Sequence, residues 1–173
     1  TLSENLQQKN RLSEAYALFH DGILALSDVQ MNGVCIDEDY YKKEDAKLKT
    51  RTKELRDVKL PNSKEVQKFQ EIKGRIFNVG STKDLGELLY DVLELPKKLT
   101  TKDNYRVDID ALESIDIPFI KDLLELRKLE KAGNTYIAQF LREVCGGKIY
   151  PFYDLHIPRS YRSSISLPNW QNI

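Results

Sequence analysis

A short polar run in the middle of the chain has residue types suited to binding phosphate. Asn78, Gly80, Ser81 and Thr82 lie where a helix is predicted to begin, with Ser81 as its N-cap. The backbone N–H groups of a first helical turn lack helical partners, and the positive end of the helix dipole favours an anion there. The polar side chains add donors. Ordinary helix capping explains the same residues, so both interpretations stay open.

A second candidate surface follows one side of a long predicted helix. At 100° per residue, Arg127, Lys131, Asn134 and Ala138 fall within about 60° of arc. Hydrogen-bond donors aligned along an exposed helix face would suit the spaced phosphates of a nucleic acid. A solvated helix face has the same pattern, so this surface alone does not decide the function.

Charge is unevenly distributed along the chain. The 173 residues carry 27 basic and 27 acidic side chains, so the formal net charge is zero. The stretch from Lys42 to Arg75 nevertheless holds twelve basic and six acidic residues. A local positive excess on a neutral chain is typical of a polyanion partner. A solvated, salt-bridged pair of helices would have the same composition.

Other chemistries find little support in the sequence. His20 and His156 lie in no nucleophile motif, and no Gly-x-Ser-x-Gly is present, which argues against a stand-alone hydrolase. Cys35 and Cys145 form no metal-binding pattern, so we predict two free thiols in a reducing compartment. No apolar run approaches the roughly 18 residues of a spanning helix, and no signal-peptide pattern opens the chain. A cytoplasmic protein is therefore expected.

Helices must position both candidate surfaces. The hydrophobic spacing predicts a mainly α chain, with 40% apolar residues overall. A first helix is predicted from about Ser3 to Asn32, with one apolar face made of Leu12, Tyr16, Phe19, Ile23 and Leu26. Further helices are predicted over residues 37–58, about 64–73, 82–93, a short stretch capped by Asp108, and 116–144. Residues 148–157 predict strand, and a polar strand-and-loop segment follows.

Four blocks of residues occur in a fixed order along the chain. They are Asn32-Gly33-Val34 with Ile36-Asp37; Phe77-Asn78-Val79 with Ser81-Thr82-Lys83 and Leu85; Arg127-Lys128-Leu129 with Lys131 and Thr135-Tyr136; and Arg162-Ser163-Ser164 with Pro168-Asn169-Trp170-Gln171-Asn172-Ile173. Together they resemble motifs of the family A DNA polymerases, the DNA polymerase I family. The last block is similar to the family's Arg-Leu-Ser-Ser and Asp-Pro-Asn-Leu-Gln-Asn-Ile-Pro, found where the thumb enters the palm.

The resemblance implies DNA contacts for particular residues. Duplex-backbone contacts from the thumb are implied for Asn78, Ser81 and Thr82. Contacts from a long helix on the minor-groove side of the primer–template are implied for Arg127, Lys131, Asn134 and Thr135. Contacts near the primer terminus and active site are implied for Arg162, Asn169, Gln171 and Asn172. Replacing Arg127 or Lys131 by alanine is expected to weaken duplex binding with little change in stability.

The resemblance also implies a larger polymerase around this chain. Residues 1–147 would form a helical thumb with long antiparallel helices, and residues 148–173 the first strands of the palm. The parent would be a DNA-directed DNA polymerase that needs Mg²⁺, with its metal-binding aspartates beyond residue 173. No catalytic or metal-binding residue is then expected here, and the chain alone would be inactive. Its expected partners are the primer–template duplex and the remaining palm and fingers, without a membrane.

The last block departs from the family motifs at four positions. Tyr161, Ser163, Leu167 and Trp170 stand where the family has Gly, Leu, Asp and an aliphatic residue. The polar Arg-Ser-Ser form is more similar to phage or plasmid members. The alternative function is a non-enzymatic helical module that binds nucleic acid or a protein partner.

Overall fold

The computed structural model describes residues 2–96, 99–100, 104–155 and 163–169, with side chains from residue 13 onward. The α-helices are α1 (Leu2–Asn32), α2 (Glu38–Lys53), α3 (Lys64–Lys73), α4 (Thr82–Glu87), α5 (Ile109–Glu113), α6 (Pro118–Lys131) and α7 (Ala138–Glu143). Within the described residues, three π-helical segments directly continue α2, α4 and α6, and they are π1 (Glu54–Lys59), π2 (Leu88–Val92) and π3 (Ala132–Ile137). The mainly α prediction is confirmed.

Among the described residues, four short strands form two antiparallel pairs. They are β1 (Val34–Cys35), β2 (Lys148–Ile149), β3 (Phe152–Asp154) and β4 (Ser164–Ser166). Val34 lies opposite Ile149, and Tyr153 lies opposite Ile165. The sequence predicts only a short apolar link at residues 34–36, where the structure has β1. Local spacing does not reveal this strand, because its partner β2 lies more than a hundred residues later.

The chain divides into two compact units. The first unit is Thr1–Lys43 with Asn134–Ile173, and the second is Glu44–Gly133. The boundary predicted between residues 147 and 148 falls inside the first unit, and the thumb and palm limits stay a prediction.

The second unit has a dense apolar core. Its fully buried large side chains are Leu55, Leu60, Phe69, Leu85, Leu88, Leu89, Leu112, Phe119, Ile120, Leu123 and Leu126. Burying such a side chain stabilises the fold by roughly 1.5–3 kcal/mol. Phe77 packs edge-on against Phe69 and Phe119, with ring centroids 5.3 and 6.0 Å apart. The polar run that begins at Asn78 is therefore anchored to the core by the residue just before it, Phe77.

Helix starts in the second unit follow local chemistry. Ser81 and Asp108 are N-caps, as predicted, and their side chains accept hydrogen bonds from the backbone N–H groups of Asp84 and Ala111. The start predicted at Asp116 is two residues early, since α6 begins at Pro118. Ile117 is extended, because the residue before a proline is disfavoured in the helical region.

The first unit covers only part of the predicted apolar face of α1. Phe19 and Leu26 are half-buried, whereas Tyr16 and Ile23 are 73% and 56% exposed. Leu12 has no described side chain. The covered side of α1 includes Gly22, which the predicted face does not. A Cβ added there would lie 2.9 Å from Leu155 Cδ1. Spacing alone predicted a broader buried face than the short strand β3 can cover.

Candidate nucleic-acid interface

The polar run before α4 is organised around one buried carboxylate. Arg75 Nη1 donates to Asp84 Oδ2 at 2.9 Å, and the Asn78 backbone N–H donates to the same oxygen at 3.0 Å. The Ser81 hydroxyl donates to Asp84 Oδ1 at 3.1 Å and accepts from the Asp84 N–H at 3.2 Å. Burial opposes the charged form, but the hydrogen bonds from Arg75, Asn78 and Ser81 outweigh it and lower the pKa of Asp84. The ionised carboxylate therefore holds the turn at neutral pH.

The three predicted contact residues of this run differ in what they offer to a phosphate. Asn78 and Thr82 are exposed, whereas Ser81 is half-buried. Asn78 Oδ1 accepts from the Gly80 N–H at 2.9 Å, which leaves the Nδ2 amide as the donor end of that side chain. The single hydroxyl proton of Ser81 is directed to Asp84. Asn78 and Thr82 are thus the accessible donors, and Ser81 organises the turn.

Arg127 and Lys131 have different surroundings on α6. Arg127 is half-buried and donates from Nη1 to the Val107 carbonyl at 3.0 Å, and burial lowers its pKa. An arginine remains cationic despite such a shift. Lys131 is exposed, and no described carboxylate lies within 4.0 Å of its amine. The predicted exposed face therefore holds for Lys131, but not for Arg127, which is packed against residue 107.

The π-helical segment π3 interrupts the predicted stripe. Asn134 and Thr135 lie within it, and both are exposed. Counting at 100° per residue assumes a regular α-helix, whereas a π-helix forms i→i+5 hydrogen bonds and changes the angular offset. Asn134 and Thr135 belong to the first unit, and Arg127 and Lys131 to the second. The single stripe predicted from spacing is therefore not a continuous α-helical face.

The remaining predicted contacts lie near the C-terminal end of the chain. Asn169 is exposed and follows β4. Arg162, Gln171 and Asn172 lie outside the described residues, so their roles stay predictions.

The basic stretch from Lys42 to Arg75 is largely neutralised by ion pairs. Eight of its twelve cations lie within 4.0 Å of a carboxylate: Lys42, Lys47, Lys49, Arg51, Arg56, Lys59, Lys73 and Arg75. Most of the partners come from outside the stretch, which is where the compensating negative charge of the sequence resides. This geometry favours the salt-bridged alternative for most of the segment.

Three of these ion pairs join α2 and π1 to α6. Arg51 Nε lies 2.7 Å from Glu125, Arg56 Nη2 lies 2.5 Å from Glu130, and Lys59 Nζ lies 2.6 Å from Asp122; these pairs are called the ion-pair ladder. The hydrogen bond from Arg51 is the main reason that the pKa of Glu125 lies below its usual value. The ladder directs the acidic side chains of α6 toward the basic stretch.

Sites for other chemistry are not evident in the described ranges. Within them, no group of three or more His, Cys, Asp or Glu side chains could hold a metal ion. Cys35 and Cys145 are exposed free thiols. No helix among the residues searched is both long enough and apolar enough to cross a membrane.

A comparison with protein families decides the context of these surfaces. The family model described as DNA polymerase family A matches residues 44–173. The chain belongs to DNA polymerase family A. The match includes the whole second unit and the C-terminal part of the first, so the predicted family is confirmed.

This family A chain is similar to bacterial proteins named DNA polymerase I. It is 31% identical to that of Geobacillus stearothermophilus, over 88% of this chain and 16% of the relative. It is 30% identical to that of Streptococcus pneumoniae, over 99% of this chain and 19% of the relative. The chain thus spans less than one fifth of these curated relatives.

A solved structure supports the fold of the family A chain. It is the POL domain of Pol1 from M. smegmatis in complex with DNA primer-template and dNTP. The TM-score is 0.67 with 27% sequence identity, over 86% of this chain and 25% of the other.

Sequence reasoning missed two residues that organise the family A candidate interface. Asp84 had a readable signal, because Ser81-x-x-Asp84 has the spacing of a capping box. Arg75 had none, since its role depends on a turn that brings it within 2.9 Å of a residue nine positions later.

Proposed function

We propose that this chain is part of a DNA-directed DNA polymerase, which adds deoxynucleotides to a primer on a DNA template. Its own share would be to grip the primer–template duplex. The observation that carries the proposal is the similarity, over 86% of the chain, to a POL domain in complex with DNA primer-template. The family match over residues 44–173 supports the same conclusion.

The exposed polar groups suit a grip that does not depend on DNA sequence. Asn78 and Thr82 offer neutral donors, and Lys131 offers a cation without a described carboxylate partner. Such groups contact phosphates, which position a duplex but carry no sequence information. Because cations displace counterions from DNA, the affinity should fall steeply with salt.

The finer assignments belong to the same proposal. Residues 1–147 would be the thumb and residues 148–173 the start of the palm, joined to the remaining palm and fingers of the polymerase. Further duplex contacts would come from Asn134, Thr135, Arg162, Asn169, Gln171 and Asn172. The phage-type relationship rests on the Arg-Ser-Ser form alone, and the relatives above are bacterial.

Mg²⁺ is proposed for the whole polymerase and not for this chain. A pair of bound metal ions would stabilise the attacking and leaving oxygens of nucleotide transfer. The described residues do not fit such a site, because they bring together no cluster of potential ligands. The described residues of this chain would therefore bind and orient the duplex rather than hold the ions.

The grip can be tested by fluorescence anisotropy with a labelled primer–template duplex. We expect the chain to bind, with an affinity that falls as salt rises. Lys131→Ala should lower the steepness of the salt dependence by about 0.9 in log–log slope and leave stability unchanged, because one exposed phosphate contact is lost. Arg127→Ala should weaken binding and also destabilise the fold by about 1 kcal/mol, because the bond to Val107 is lost.

A single-stranded oligonucleotide and a melting curve of each variant serve as controls. Absence of duplex binding at low salt by the folded wild-type chain would contradict the proposed grip. Unchanged duplex affinity in both variants at moderate salt would remove α6 from the interface.

A further inference from the structure

Helix α6 carries cations that lie near no described carboxylate, and the sequence alone does not show which they are. The acidic side chains of this helix, Asp122, Glu125 and Glu130, are engaged in the ion-pair ladder. Lys128 and Lys131 are exposed, and no described carboxylate approaches either amine within 4.0 Å. Glu125, the one carboxylate at i−3 of Lys128, is thus paired with Arg51 instead, and Lys131 has no acidic residue three or four positions away on the helix.

The two lysines are neighbours on the helix surface. Residues three apart on an α-helix have Cβ atoms about 5–6 Å from each other. Like charges at this spacing disfavour one another in the free chain. A partner with closely spaced negative charges relieves that repulsion, and a DNA duplex carries one charge per roughly 1.7 Å of axis.

The basic stretch provides the contrast. Lys49 is also exposed, but its amine lies 2.6 Å from the Asp45 carboxylate. A paired cation displaces fewer counterions from DNA, because its charge is already balanced within the protein. Positive charge in the sequence is thus an unreliable guide to where the duplex binds.

We propose that Lys128 is a further duplex-binding residue, and that it forms with Lys131 a cationic edge on α6 that contacts adjacent backbone phosphates. The inference rests on the proposed function and extends it to Lys128, for which the resemblance implies no DNA contact. The partner is the phosphate backbone of a DNA duplex, because its negative charge complements two neighbouring amines that have no described carboxylate within 4.0 Å.

The test compares salt dependence among three variants of the 173-residue chain. Lys128→Gln, Lys49→Gln and the double variant Lys128→Gln/Lys131→Gln would be titrated with the primer–template duplex from low to moderate salt. We expect the log–log slope to fall by about 0.9 for Lys128→Gln and by about 1.8 for the double variant. Lys49→Gln removes the same charge and should leave the slope unchanged.

The outcomes separate this inference from the proposed function. Equal slopes for Lys128→Gln and Lys49→Gln, with a wild-type chain that binds the duplex, would overturn the cationic edge and leave the proposed grip intact. A folded wild-type chain that does not bind the duplex at low salt would overturn both. Because all three lysines are exposed, circular dichroism should show that the variants fold like the wild-type chain.

Discussion

Asp84 shows how a single carboxylate can organise a candidate binding turn. The residue is 6% exposed, and its carboxylate accepts hydrogen bonds from Arg75, from the Asn78 backbone and from Ser81. An isolated buried charge would be costly, but one that is fully hydrogen-bonded stabilises its surroundings. The exposed amide of Asn78 depends on this arrangement, because the Asn78 backbone is bonded to the carboxylate.

The charge of Asp84 should make a pH-dependent contribution to stability. We expect Asp84→Asn to destabilise the chain by about 2 kcal/mol at pH 7, because charge-assisted hydrogen bonds are lost. The pKa of Asp84 is lowered in the folded chain, so this stabilisation is fully present above the unfolded pKa of about 3.9. It is lost as the pH falls through the lower, folded pKa. Urea unfolding of both proteins at pH 7 and near pH 3 measures the difference.

Asp116→Asn is the matched control for this prediction. The pKa of Asp116 is also lowered, by a hydrogen bond from Lys121, but its side chain is 88% exposed. Exposed pairs contribute little to stability, so this variant should unfold like the wild-type chain. An Asp84→Asn effect that did not shrink at low pH would show that shape, and not charge, explains the loss.

Close packing of α4 against Tyr105 depends on a glycine. A Cβ added at Gly86 would lie 2.6 Å from the Tyr105 side chain, which is closer than carbon atoms approach in proteins. Tyr105 cannot move freely, because its ring lies 5.1 Å from that of Tyr90 and its hydroxyl donates to Asp91. Gly133, within π3, has no such neighbour within 4 Å.

Two glycine substitutions should therefore have opposite effects. We expect Gly86→Ala to destabilise the chain by about 1–3 kcal/mol, because the methyl group overpacks the contact with Tyr105. Gly133→Ala should stabilise it by about 0.4–1 kcal/mol, because alanine restricts the unfolded chain and has room in the folded one. Thermal melting of the two variants beside the wild-type chain measures both signs, and a Gly86→Ala variant as stable as Gly133→Ala would refute the packing argument.

At the scale of the whole molecule, the chain matches a polymerase family, but its described residues form no metal site. It matches DNA polymerase family A over residues 44–173 and spans less than one fifth of bacterial relatives named DNA polymerase I. Its described residues bring together cations and neutral donors, but no cluster of metal ligands. At this scale the described residues include exposed cations and neutral donors, and no cluster among them could hold a metal ion.

The 173-residue chain by itself should therefore not extend a primer. We expect no added nucleotide in a gel assay with a labelled primer–template, deoxynucleotides and Mg²⁺, because two-metal nucleotide transfer needs carboxylates that hold the ions. A complete family A polymerase on the same template is the positive control. Template-dependent extension by the purified chain would contradict the prediction.

The amino-acid sequence by itself determined where most helices lie, the N-caps at Ser81 and Asp108, and the family. These depend on near neighbours: apolar spacing along one helix, Ser81 and Asp108 at N-caps, Asn32-Gly33 at the end of α1, and short ordered motifs. The tertiary structure alone decided that Arg51, Arg56 and Lys59 pair with carboxylates of α6, that Arg127 is packed against Val107, and that β1 pairs with β2. Those contacts join residues 20 to more than 100 positions apart, and their formation depends on how distant elements pack. Local spacing does not show which distant residues come into contact. The sequence of the basic stretch therefore resembles a binding surface, whereas its carboxylate partners on α6 lie far away along the chain.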